Sequence, residues 1–320
     1  MTRLFVGLVL IGVTAFAATP DCDRPCLKNT VDQYLNAVIQ HDPAAAPLFI
    51  GFRQTENAVV VRTGTGVWKT VTALGKLQRR YLDPVSGQAA YFGTVEEQGQ
   101  PAIVTVRVKV EHRKITEAEW IMARKGDPGL NGFTPTGQPS GNFFDPDNLA
   151  ANGPPERTVP KDARSSRETL VAITNSYFDG ITTHDGSIIM AHPGCTRVEN
   201  GATVTGRGGR GPNAGQGPND CTSNLANINV ELVAARRYPV ADEEAGVVLA
   251  LAVFLRKPGT TTRRNMFSEW FVIDNNKIRN IFSAMFYPTP ELPVPNWPPY
   301  EGNWPLSPTL AAPAAPPPGR

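Results

Sequence analysis

The chain contains itself twice. Aligned without gaps at an offset of 143 residues, DQYLNAVIQHDPAAAPLFIGFRQTENA from Asp32 meets NSYFDGITTHDGSIIMAHPGCTRVENG from Asn175. Tyr34, His41, Asp42, Gly51, Glu56 and Asn57 then fall on Tyr177, His184, Asp185, Gly194, Glu199 and Asn200. Six identities in 24 positions exceed the roughly one or two that ordinary composition supplies. Whatever one half builds, the other half builds again, and 320 residues suffice for two such domains.

The order of elements follows from periodicity. Leu27, Val31, Tyr34, Leu35 and Val38 recur at helical spacing and predict an amphipathic helix over about 26–41, repeated by Leu170, Ile173, Tyr177, Phe178 and Ile181. Each helix ends at a His-Asp pair, and Asp42 before Pro43 is suited to cap a short following helix, as is Asp185. Strands follow. FRQTENAVVVRTG and TRVENGATVTG carry turns between extended runs, and AIVTVRVKVEHRKITEAEWIMA is an alternating hairpin with a counterpart in FSEWFVIDNNKIRNIFSAMF. In the first hairpin Val104, Val106, Val108 and Val110 share one face while Arg107 and Lys109 share the other, the pattern of a half-buried strand. RRYLD at Arg79 and RRYPV at Arg236 lie between turn and hairpin in both copies. The repeats are bounded at 22–125 and 165–288, with a Gly- and Pro-rich linker at 126–164 and a Pro-rich tail at 289–320.

Charge narrows the partners. Lys plus Arg (31) nearly balances Asp plus Glu (29), which speaks against nucleic acid, an anionic membrane or a cationic partner and for one that is small or neutral. The N-terminus reads as an export signal over 1–17: Arg3 is the positive start, Leu4 to Phe16 the apolar run, and Ala15-Phe16-Ala17 the cleavage pattern. That run is shorter than a membrane span, so the expected location is secreted or periplasmic with no membrane attachment after cleavage. Four cysteines allow three connectivities, among which locality favours Cys22 with Cys26 and Cys195 with Cys221. No close Cys-x-x-Cys pairs suggest zinc. The absence of an Asn-x-Ser/Thr sequon favours a bacterial over a eukaryotic exported protein.

A long helix ending in His-Asp, a strand-turn with Glu-Asn-Gly and the closing IDNNKIRNIFSAMF hairpin resemble the SnoaL-like branch of the nuclear transport factor 2 superfamily. CDRPCL, SSRETLVAITNSYFDGI and RRYPVADEEAG look more closely like a family of exported two-repeat proteins of largely unassigned function. The resemblance covers residues 22 to 288 and implies an α+β cone in each half, a curved antiparallel sheet around helices with a pocket at its open end, the two packed as an internal pseudo-dimer. That superfamily holds cofactor-free isomerases, dehydratases, cyclases and lyases beside binding-only members, so the fold does not choose among them.

Within this frame Glu269 is the leading catalytic candidate. With Lys114-Ile115 set on Lys277-Ile278 it falls on Val106, inside the apolar alternation of Phe267, Phe271 and Ile273, where desolvation would raise its pKa and suit it to acid/base work. A bulge to solvent, or a structural pair with Arg197 or Arg236, is the competing reading. His192, which has no counterpart in the first copy, is a second catalytic candidate, with Arg197, Tyr238 and Trp270 as substrate-binding candidates. His41 and His184 read as helix-end carbonyl partners, and His112 as a hairpin turn. Glu56 and Glu199 with their asparagines read as turns. Arg79, Arg80, Tyr81 and Arg236, Arg237, Tyr238 are candidates for an anionic or phenolic ligand, or for braces between repeats. Trp68 and Trp120, like Trp270, either line an apolar pocket or pack the core. TGRGGRGPNAGQGPND from Thr205 lacks the ending of a phosphate loop and reads as an insertion, a candidate lid over the second pocket. No serine-hydrolase elbow, metal triad or strand-borne dinucleotide fingerprint occurs, so no cofactor is expected.

The leading expectation is therefore an exported, cofactor-independent lyase, isomerase or dehydratase acting on a small hydrophobic or aromatic molecule. A non-catalytic binding protein and a structural or interaction module are the alternatives, and a homo-oligomer is left open.

Overall fold

Asp23 opens the first helix. Its side chain accepts the Cys26 backbone N–H at 3.0 Å, Pro25 occupies the first turn, and α1 (Arg24–Ile39) buries Leu27, Val31, Tyr34, Leu35 and Val38 along one side. Ser166 does the same for Thr169 at the start of α4 (Arg167–Thr183), which buries Leu170, Ile173, Tyr177, Phe178 and Ile181. In this computed structural model the described residues are 21–206 and 220–288. The expected signal segment 1–17, the tail 289–320 and residues 207–219 of the expected lid lie outside the described residues. No helix among the described residues is long and apolar enough to cross a membrane.

Each helix is wrapped by a six-stranded sheet. The first comprises β1 (Leu48–Glu56), β2 (Val59–Val61), β3 (Val71–Asp83), β4 (Gln88–Glu97), β5 (Gln100–Glu111) and β6 (Lys114–Arg124), with the one-turn α2 (Val67–Thr70) before β3. Its order is β2-β1-β6-β5-β4-β3. The second comprises β7 (Ala191–Glu199), β8 (Ala202–Thr203), β9 (Leu232–Asp242), β10 (Val247–Leu255), β11 (Asn265–Asp274) and β12 (Lys277–Phe286) in the order β8-β7-β12-β11-β10-β9. The chain is thus two tandem cone-shaped α+β repeats, the architecture that the resemblance implies, with one refinement. The sheets are mixed, because β1 pairs parallel with β6 and β7 parallel with β12. The long first helix carries the chain away before the sheet begins, and the closing strand returns beside the first one.

The two sheets pack face to face. Val104, Val106, Val108 and Val110 point inward against α1, and Phe267, Phe271 and Ile273 point inward against α4. Of the alternate residues, Thr105, Arg107, Ser268, Trp270 and Val272 are buried as well. Phe92, Ile103 and Ile121 of the first sheet join Val247, Leu249, Trp270 and Phe282 of the second in a third buried cluster between the repeats. Arg107, expected on a solvated face, is therefore buried: its guanidinium reaches Glu117 at 2.8 Å and Glu119 at 3.0 Å, and Arg237 of the second repeat meets Glu119 at 2.7 Å. A strand whose second face is covered by its own duplicate needs a matched network there rather than hydration.

The seam is reciprocal. Arg24, first residue of α1, pairs at 2.7 Å with Asp242 at the end of β9, while Arg167, first residue of α4, pairs at 2.9 Å with Asp83 at the end of β3. Asp242 also accepts the Leu82 N–H and Asp83 the Ala241 N–H, so each repeat caps the other's strand. These are equivalent residues exchanged across a pseudo-two-fold axis.

The segment 126–164 is more than a tether. It carries α3 (Pro146–Asn152), whose Leu149 is buried in the cluster between the sheets and whose Asn148 donates to the Gly201 carbonyl at 2.6 Å. Disulfides join Cys22 to Cys26 and Cys195 to Cys221, as locality favoured.

Candidate functional site

The interior of the first cone is filled. Tyr34 on α1 donates from Oη to Gln54 Oε1 at 2.7 Å, Trp68 Nε1 donates to the same oxygen at 2.8 Å, and Trp120 Nε1 donates to Tyr34 Oη at 2.9 Å. Gln54 Nε2 passes a hydrogen bond on to Glu56 Oε1, which also accepts the Val67 N–H. Two indoles and a phenol close the space, and the polar atoms named here are all matched. Trp68 and Trp120 are consequently core residues of the first repeat, with no free face for a ligand.

The second cone keeps the scaffold and changes the filling. Tyr177 stands for Tyr34 and Glu199 for Glu56, but Arg197 replaces Gln54. In the ladder, Val106 opposite Trp120 becomes Glu269 opposite Ser283. A hydroxymethyl group has replaced an indole, and a carboxyl an isopropyl group. Arg197 Nη1 donates to Tyr177 Oη at 2.9 Å, and its Nε lies 2.9 Å from Glu199 Oε1, an ion pair whose angle falls short of a hydrogen bond.

Glu269 is the anomaly of this interior. It is 0% exposed, and neither carboxylate oxygen has a hydrogen-bond partner among the described residues. Most buried polar groups are matched, because an unmatched one forfeits its hydration for nothing, at about 1–3 kcal/mol or more. Burial pushes its pKa up to about 8, against the lowering effect of the Arg197 charge and with a further small rise from Glu199. The group is therefore a neutral acid at pH 7. Burial likewise raises the Tyr177 phenol, and Arg197 acts to lower it. For Arg197 burial opposes the charge, but Tyr177, Glu199 and Glu269 outweigh it and hold the guanidinium protonated. A neutral proton donor and a fixed cation thus lie together in a buried interior packed with Phe267, Phe271 and Ile273.

Of the sequence candidates, Glu269 and Arg197 come together and three others do not. Trp270 points the opposite way, into the seam, where its ring packs on Tyr81 at 4.8 Å and its Nε1 donates to Thr105 of the first repeat. Side chains alternate along a strand, so the neighbour of an inward Glu269 cannot line the same cavity. His192 lies about five residues along the ladder from Glu269, roughly 16 Å at strand rise, and its Nε2 sits 2.6 Å from Asp274 Oδ1 at the hairpin end. Tyr238 braces α4 instead, donating to Asn175 Oδ1 at 2.6 Å beside the Phe178 ring.

The two RRY motifs are also not equivalent. Tyr81 pairs with Ala90 in its ladder, and the corresponding Leu249 pairs with Val240. Pro239 lacks an N–H and sits in an irregularity of β9 between the Arg237 and Val240 pairings, which slips the second motif. His41 and His184 do close their helices: both have left-handed backbones, and their Nδ1 atoms meet the Trp68 and Leu225 carbonyls. His112 is exposed at its turn, also left-handed.

Sequence reasoning missed Tyr177 and Glu199 as parts of this site. Both were visible as repeat identities, but they read as core and turn until Arg197 linked them. Asn57 and Asn200 have a further use: each side-chain amide bonds both ways to a closing strand, at Met122 and Met285. Among the described residues no three or more His, Cys, Asp or Glu side chains converge as metal ligands.

A protein-family profile described as Domain of unknown function (DUF8021) matches residues 163–285, the span of the second repeat. A search of the curated proteins finds no match. Among solved structures, a protein from Sphaerobacter thermophilus is similar at 12% identity over 37% of this chain and 96% of its own, with a TM-score of 0.27. An NTF-2 like protein of unknown function from Burkholderia xenovorans LB400 is similar at 12% identity over 39% of this chain and 88% of its own, with a TM-score of 0.28.

Proposed function

We propose that the second repeat is the functional half of an exported protein, a cofactor-independent acid–base site acting on a small hydrophobic or aromatic molecule. Lyase, isomerase and dehydratase chemistry fit it best. The observation that carries this reading is Glu269, a fully buried carboxyl with two unmatched oxygens at the position where the first repeat has Val106. A structural ion pair would have brought a partner to hydrogen-bond distance. In the proposed reaction neutral Glu269 gives its proton to an oxygen or carbon of the substrate, and Arg197 offsets the negative charge left on the carboxylate or growing on the substrate. Tyr177 and Glu199 hold the guanidinium in place. The apolar walls keep water from levelling that proton transfer. The two disulfides support export, since such bonds persist in oxidising compartments.

The test is native mass spectrometry of the mature protein, followed by extraction of whatever is bound and assay of that scaffold with wild type and Glu269→Gln. The expected result is a bound apolar molecule that wild type converts and Glu269→Gln retains unchanged. Retention without conversion by either protein would favour a binding protein. An empty protein whose melting temperature ignores a panel of aromatic and lipid-like compounds would remove both readings.

A further inference from the structure

The RRY motif of the first repeat does not enter the Glu269 site, yet it opens onto a cleft of about 860 Å³ at the seam between the repeats. That volume suits a small organic ligand. Two cations in its wall, Arg79 and Arg157, have no ion pair among the described residues. Arg79 is steered by carbonyls, with Nε donating to Pro154 O at 2.8 Å and Nη1 to Gln78 O at 3.1 Å. Arg157 donates from Nε to Ala245 O at 2.8 Å and from Nη2 to Gly246 O and Ile273 O. Among the described residues, Nη2 of Arg79 and Nη1 of Arg157 have no hydrogen bond. The neighbouring cations differ, because Arg24 is matched by Asp242, and Arg80 and Lys28 share Asp32.

The second observation is Tyr81. It is 3% exposed and lines the same cleft, and its hydroxyl is buried without a hydrogen-bond partner among the described residues. The ring packs on Trp270 with centroids 4.8 Å apart. Burial raises its titration, and Arg79 and Arg157 act to lower it against the Asp242 and Glu156 carboxylates. An unmatched hydroxyl donor beside two guanidinium groups, each with one nitrogen unspent, is a receptor for an oxyanion.

We propose that this seam cleft is a second binding site, for the carboxylate of a small organic acid, with Arg79 and Arg157 as cationic donors and Tyr81 Oη as the neutral one. The lining holds five cations and four carboxylates, which favours a monoanion over a multiply charged phosphate ester. Pro25, Leu82, Pro155 and Ala245 supply apolar surface for the body of the acid. The second repeat has Val240 where the first has Tyr81, so the site exists once per chain.

The experiment is a ligand-observed NMR titration of the full chain with benzoate at low salt, with benzyl alcohol and inorganic phosphate as controls. Saturable benzoate binding is expected, with no binding of benzyl alcohol and no displacement by equimolar phosphate. Tyr81→Phe and Arg79→Gln, each verified as folded by circular dichroism, are expected to weaken it about tenfold, the size of one charge-assisted hydrogen bond. Glu269→Gln should leave it unchanged, so failure here and failure of the acid–base site are read separately. Absence of saturable binding, wild-type affinity in both seam variants, or loss of binding in Glu269→Gln would overturn the site. Displacement by phosphate would overturn its carboxylate class.

Discussion

Glu269 lies directly opposite Ser283 across the β11–β12 ladder, at the position where Val106 faces Trp120 in the first repeat. The exchange removes the indole that closes the first cone and puts an ionisable group in the corresponding interior. Restoring the indole should undo the change. Ser283→Trp is expected to fold with a loss of about 1–3 kcal/mol from overpacking and to abolish retention of any co-purifying molecule, read by native mass spectrometry.

Stability should depend on pH through Glu269. Its pKa is about 8 in the folded chain and 4.5 in the reference state, so between these values the native state binds the extra proton. The stability that goes with this proton is complete below about pH 4.5, falls as pH rises, and is lost above about pH 8. Urea unfolding at pH 5, 7 and 9 should show a decline on the order of a few kcal/mol in wild type, against a flatter profile in Glu269→Gln.

Arg197 lowers the Glu269 pKa against burial. Arg197→Gln is therefore expected to move the Glu269 carboxyl titration upward, measured by carbon-detected NMR of the side-chain carboxyl. The same variant frees Glu199 and Tyr177 from their partner. If the proposed chemistry is correct, its pH optimum should move in the same direction.

The reciprocal ion pairs should be energetically alike. Asp242 and Asp83 are each 1% exposed, and Arg24→Ala or Arg167→Ala leaves one of them without its cation. Breaking a buried pair costs about 3–5 kcal/mol, and the partial exposure of both arginines brings the expectation to about 2–3 kcal/mol each. Urea denaturation of the two variants checks this. A loss confined to one of them would contradict the pseudo-symmetry of the seam.

The parts of this architecture that repeat were the legible ones. The stripe of Leu27, Val31, Tyr34 and Val38 returns in α4, and the inward position of Glu269 follows from its alternation with Phe267 and Phe271. What the sequence hid is that both faces of each sheet are covered. Arg107 and Trp270 look like a solvated and a pocket residue only if the opposite face of a strand is taken to be water. His192 could not be placed without the register that brings Asp274 beside it. Tyr238 matched Tyr81 by its neighbours, and only the irregularity at Pro239 separates them. In each case the missing information was a non-local pairing, which local composition does not encode.

The exchange of Arg24 for Arg167 across the seam has a consequence for how such a protein can evolve. Two identical subunits joined by this contact would have to change in step, because any substitution appears on both sides at once. Written as one chain, the halves are released from that constraint while the contact stays intact. One half is then free to keep its indole, and the other to take on a buried carboxyl in the corresponding place. Trp120 and Ser283 are the two ends of that division of labour.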